Sequence, residues 1–160
     1  MDTAGVSKGN TVGASDIVVI SVFLALLIEA TYRNLRTGLI HDVITLPGIV
    51  IGLMLNAILL HRFWACALGA LVGFGITFLV SEIYYRRTGR EGMGFGVVKL
   101  AAMVGAFLGV VGVCIALGAA FASALAFVAI AKPRPRAVQF APFLLIGSLV
   151  FIGLRGFGIM

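Results

Sequence analysis

Residues 97–131 run apolar with Lys99 as their only charge. An α-helix crosses the hydrocarbon core of a bilayer in about 20 residues. The stretch is therefore too long for one crossing, and its composition suits lipid rather than water. Inside a bilayer every backbone N–H and C=O must be satisfied within its own segment, so helices are the default. The stretch reads as two helices divided between Gly109 and Gly112 by a tight turn outside the cytosol. Four further apolar runs, 16–32, 43–60, 63–85 and 140–154, bring the expectation to an all-α membrane bundle of about six helices with short connections.

Composition excludes the main alternative. Of 160 residues, 61% are hydrophobic and 11% charged. Soluble domains run near 45–50% apolar and 25% charged, and a chain this apolar cannot hide its surface in one small core. Residues 1–15 are polar and small and read as a flexible tail; residues 16–160 form the transmembrane domain. The tail is not a signal peptide, since Lys8 is its only basic residue and no small-residue cleavage motif follows a short apolar core. Cys66 and Cys114 lie inside apolar runs and form no CxxC pair, so they read as packing residues rather than zinc ligands. His41 and His61 fall in loops on opposite sides, and no metal or other cofactor is expected.

Basic residues set the orientation, because cytosolic loops carry the excess of Lys and Arg. Arg33, Arg36, Arg86, Arg87, Arg90, Lys99, Lys132, Arg134 and Arg136 fall on one side, against Lys8, Arg62 and Arg155 on the other. The first side is expected to be cytosolic, with both termini outside. The net charge of +6 needs no nucleic acid to explain it, and no basic domain with interleaved aromatics is present. Trp64 beside His61 and Arg62 reads as an interface anchor. Glycines recur at four-residue spacing (Gly48 and Gly52, Gly69 and Gly73, Gly105 and Gly109), which lets helix backbones approach closely.

Polar residues gather in two stretches on the cytosolic side. The first is Asn34-Leu35-Arg36-Thr37-Gly38-Leu39-Ile40-His41-Asp42-Val43-Ile44-Thr45-Leu46-Pro47. The second is Gly89-Arg90-Glu91-Gly92-Met93-Gly94-Phe95-Gly96-Val97-Val98-Lys99-Leu100. Together they resemble the paired signature of the prepilin peptidases, the GxGD-type aspartyl proteases of the bacterial inner membrane. That family's first block is an aspartate, a basic turn-rich loop and a Thr-Leu-Pro helix start; its second is Gly-x-Gly-Asp followed by Lys-Leu. Gln139-Phe140-Ala141-Pro142-Phe143-Leu144 is similar to a third, weaker block. The resemblance covers nearly the whole chain beyond Asp16.

The resemblance implies a chemistry. Two carboxylates a few ångströms apart cannot both ionise, so their pKa values split. One activates water as a base and the other protonates the scissile carbonyl. The implied substrate is the basic leader of a type IV prepilin or pseudopilin, whose hydrophobic helix lies in the bilayer. The short form without an N-terminal four-cysteine zinc segment is the closer match, so a methyltransferase role is not carried over.

The departures fall on the decisive atoms. Asn34 stands at the first catalytic position and Val97 at the second. An amide cannot serve as a general base near neutral pH, and valine offers neither proton nor lone pair. No peptidase activity is expected of the chain as written. Intact flanks around both positions read as deliberate inactivation by engineering. A natural non-catalytic descendant acting as an assembly scaffold is the rival, and a small transporter using Asn56, Thr77 and Ser123 is a third reading. The resemblance marks Gly94, Gly96, Lys99 and Asp42 as supporting residues. Lys99 also suits a snorkelling anchor, and Asp42 reads as an N-cap rather than a substitute carboxylate. Glu82 can pair with Arg86 one turn on, whereas Glu29, near a span end, has no evident partner.

Overall fold

A computed structural model describes residues 13–37, 42–89, 94–130 and 139–156. The expected tail lies outside the described residues apart from its last few positions. Five helices account for the described chain: α1 Ala14–Thr37, α2 Asp42–Leu59, α3 Phe63–Thr88, α4 Phe95–Ile130 and α5 Ala141–Gly156. By length and composition, Ala14–Thr37, Phe63–Arg87 and Phe95–Ile130 suffice to cross a membrane, and α2 and α5 are shorter apolar helices.

α4 is not one rod. Gly109 has φ 74° and ψ −173°, far from helical values. A Cβ placed on Gly73 would lie 2.5 Å from the Ala101 carbonyl oxygen and 2.9 Å from a Val113 methyl. In a straight helix, residues twelve apart are separated by about 18 Å, so both can reach Gly73 only if the chain doubles back. The first arm, 95–108, runs antiparallel to α3; the second, 110–130, runs parallel to it. The expected division of 97–131 therefore falls at Gly109, and the bundle holds six helical segments among the described residues.

The other contacts fix an up-and-down order. Gly48 and Gly52 of α2 meet Met103 and Phe107 of the first arm. Gly112 meets Phe151, while Gly147 meets Ala116 and Ala120, so α5 runs antiparallel to the second arm. Asp16 pairs with Arg155 at 2.8 Å, closing the start of α1 onto the end of α5. One end of the bundle thus collects the end of α1, the starts of α2, α4 and α5, and the end of α3. The opposite end holds the start of α1, the end of α2, the start of α3 and Gly109.

The two arms of α4 form the centre, with Leu100, Met103, Val104, Val113 and Ala116 fully buried. The outer faces are apolar as well: Val43, Trp64, Leu125 and Ile130 are 71–80% exposed. A soluble protein rarely leaves so large an apolar surface in water, and here that surface belongs to lipid. The protein is a membrane helical bundle.

The mid-span polar residues serve this packing. Asn56 Nδ2 donates to the carbonyls of Gly52 at 2.9 Å, Ala106 at 3.2 Å and Phe107 at 3.4 Å. The last carbonyls of a helix lack intrahelical donors, and the break at Gly109 places Ala106 and Phe107 in that position. Thr77 Oγ1 donates to the Gly73 carbonyl at 2.6 Å, and Ser123 Oγ to the Ala119 carbonyl at 2.8 Å. These are the three residues to which a transporter reading pointed, and each bonds backbone carbonyls.

Candidate functional site

α1 does not end at Tyr32, as hydropathy suggested, but continues to Thr37. Glu29 bonds Arg33 at 2.7 Å on the i, i+4 spacing that stabilises exposed helix, which supplies the partner that sequence reading missed. The Arg36 guanidinium lies 4.9 Å from the centre of the Tyr32 ring. Asn34 is thus held on a helix rather than in a loop. It is 5% exposed, and its Oδ1 is buried without a hydrogen-bond partner.

Val97 lies in the first turn of α4. Its N–H donates to the Gly94 carbonyl at 2.9 Å, so Gly94 launches the helix. Val97 is 7% exposed and belongs to the apolar core with Ala30, Leu27 and Leu100. Gly94 itself is exposed and Gly96 half-buried. A Cβ on Gly94 would meet nothing within 4 Å, so no close approach requires glycine there. Lys99 is half-buried, with Nζ 5.1 Å from the centre of the Phe95 ring.

Phe23 and Phe107 pack with tilted rings 5.2 Å apart between centroids, tying α1 to the first arm of α4. Asn34 lies eleven residues beyond Phe23, and Val97 ten residues before Phe107. At about 1.5 Å per residue in antiparallel helices, both sit about 15–17 Å from that contact, toward the same end of the bundle. The fold therefore carries the two predicted positions to one end and buries both.

α2 begins at Asp42, where an N-cap was expected, and the Asp42 side chain lies outside the described residues. Glu91, Arg90 and His41 also lie outside them. Thr45, three residues into α2, is fully buried with an unpartnered Oγ1. Sequence reading gave it no role of its own. Its signal was available: a threonine in the first helical turn has no helical carbonyl four residues back to accept its hydroxyl.

The third block also reaches this end. Phe140 and Ala141 are buried, and Phe140 lies 5.0 Å from Phe121 between ring centroids. The rim is basic. Arg33 and Arg86 are neutralised by Glu29 and Glu82, each at 2.7 Å, the second pair as expected from its spacing. Among the described residues, no cluster of three or more His, Cys, Asp or Glu could hold a metal. A cavity of about 400 Å³ opens at the opposite end, lined in part by Asn56, Arg62, Cys66 and Arg155, and contains none of the predicted site residues.

The sequence profile of the Type IV leader peptidase family matches residues 21–157. Among curated proteins, the chain is 34% identical over 142 residues to the prepilin leader peptidase/N-methyltransferase of Xanthomonas campestris, covering 83% of this chain and 47% of that protein. It is 37% identical over 92 residues to the protein of the same name from Neisseria gonorrhoeae, covering 56% and 32%. The Escherichia coli protein of that name is 27% identical over 140 residues, covering 82% and 61%. The chain thus spans between about a third and three fifths of the length of these relatives. No solved structure matches it.

Proposed function

Because the chain belongs to the Type IV leader peptidase family, we propose that it binds the leader of a type IV prepilin or pseudopilin as an aspartic-type prepilin peptidase does, and does not cleave it. The observation that carries this reading is the joint burial of Asn34 and Val97 at one end of the bundle, on the helices that the two sequence blocks form. In the family these positions hold the carboxylates that share a proton. The Asn34 amide cannot take a proton from water near neutral pH, and the Val97 side chain can exchange none. The binding surface does not require those protons.

The site end faces the cytosol at the inner membrane, in keeping with Arg33, Arg36, Arg86, Arg87 and Lys99 at that end. On this described rim Glu29 and Glu82 are already paired with Arg33 and Arg86, so backbone and apolar contacts are the main means of recognition in this reading. Cleavage of a prepilin in membranes, by the chain as it stands and by its Asn34→Asp, Val97→Asp form, tests the reading. Cleavage by the doubly substituted form alone supports it. Cleavage by the unsubstituted chain rejects the assignment of the two positions. Cleavage by neither, with the substituted form shown to be folded, favours the natural scaffold of pilus or secretion assembly.

A further inference from the structure

Among the described residues, two side-chain polar atoms are buried without a hydrogen-bond partner: Asn34 Oδ1 and Thr45 Oγ1. Each buried group of this kind calls for an explanation. The other buried hydroxyls show the ordinary solution. Thr31, Thr77 and Ser148 each donate to the carbonyl four residues back, at 2.7, 2.6 and 2.8 Å. Thr45 does not, although it is the same residue type and fully buried.

The two orphans belong to one place. Asn34 lies three residues before the end of α1, and Thr45 three residues after the start of α2. The helices are successive and antiparallel, so both positions sit about one turn inside the same end of the bundle. Side chains on a helix lean toward its N-terminus. Asn34 therefore leans into the bundle and Thr45 leans out toward the site end, and both atoms lie within the same end. One is an acceptor, and the other is a hydroxyl able to donate. A peptide group in an extended chain presents the complementary pair, one N–H and one C=O.

We propose that Thr45 is a substrate-binding residue: its hydroxyl donates to a backbone carbonyl of the leader peptide while Asn34 Oδ1 accepts a backbone N–H. The inference rests on the reading of the site as a leader-peptide site and adds to it the means of holding the chain. It agrees with a mode of recognition that tolerates different leader side chains.

The test uses the full chain in lipid nanodiscs and a fluorescent synthetic peptide, a basic leader joined to the first apolar turns of a pilin helix. Thr45→Val keeps the shape and removes the hydroxyl. Removing an orphaned buried hydroxyl does not destabilise the fold, whereas removing one hydrogen bond to the ligand weakens binding roughly tenfold. The expected result is a Kd about tenfold higher with an unfolding midpoint unchanged or raised, and restoration of the Kd by Thr45→Ser. A lowered midpoint in Thr45→Val shows that the hydroxyl has a partner within the protein and overturns the proposal. An unchanged Kd in Thr45→Val overturns it as well. Failure of the underlying reading looks different: the unsubstituted chain then holds the peptide no better than a scrambled sequence, and both fall together.

Discussion

Gly69 and Gly105 meet backbone to backbone: a Cβ on Gly69 would lie 2.5 Å from the Gly105 carbonyl oxygen, and one on Gly105 would meet the Gly69 carbonyl in turn. No flexible side chain stands between them to give way. Gly69→Ala and Gly105→Ala should each destabilise the bundle by about 1–3 kcal/mol, the range for overpacking a close-packed interior. Gly75, on the same helix, would meet nothing within 4 Å. There alanine should be neutral or stabilising by about 0.5–1 kcal/mol, because glycine is the poorer helix former. Denaturant unfolding of the three variants in one detergent separates the contact from general helix effects.

Gly109 makes a second, different demand. A Cβ there would find its nearest neighbour at 3.6 Å, so space is available, but φ 74° with ψ −173° is a conformation essentially reserved for glycine. Gly109→Ala should cost about 1–3 kcal/mol through the backbone alone. Gly109→Asn should not rescue it, since asparagine tolerates the left-handed helical region and not this one. Equal losses in the two variants, read as unfolding midpoints, are the expected outcome.

The Asp16–Arg155 pair joins the first helix to the last at 2.8 Å, with the side chains 17% and 32% exposed. The other Asp16 carboxylate oxygen accepts the Gly13 N–H at 3.3 Å. Partial burial lifts the pair above an ordinary surface bridge, and exposure of Arg155 limits the gain. A double-mutant cycle with Asp16→Asn and Arg155→Gln should give a coupling of about 1 kcal/mol. A coupling near zero would show that α1 and α5 are joined by apolar packing alone.

Much of the fold could be read from residues, and for definite reasons. No single helix fits residues 97–131 within a bilayer, so a break was required, and Gly109 was among the few residues able to provide it. The spacing of Gly69, Gly73, Gly105 and Gly109 signalled close contact without saying which helices would meet. The end of α1 was misplaced because hydropathy reports preference for lipid, not helix. Glu29, Arg33, Tyr32 and Arg36 continue the helix past the apolar run by their own contacts, and so Asn34 is helical.

At the site, motif resemblance found Asn34, Val97 and Gly94, and the basic residues placed both stretches on one side, but no periodicity could show that both side chains are buried there. That follows from the antiparallel packing of α1 on α4 around Phe23 and Phe107. Thr45 escaped notice because a threonine in an apolar helix ordinarily bonds its own backbone. Its place in the first turn of α2 was the available clue, and the folded chain shows the hydroxyl left over.

Positions 34 and 97 face one site in the proposed function, and cross-linking between them is the measurement to make first. In a background of Cys66→Ala and Cys114→Ser, the Asn34→Cys, Val97→Cys chain should form an intramolecular disulfide or accept a short bis-thiol linker in membranes. Asn34→Cys paired with Gly109→Cys at the far end should not. A cross-link between 34 and 97 with none between 34 and 109 is the predicted result. Its absence, in a chain shown to be folded, would contradict the shared site and with it the leader-peptide reading.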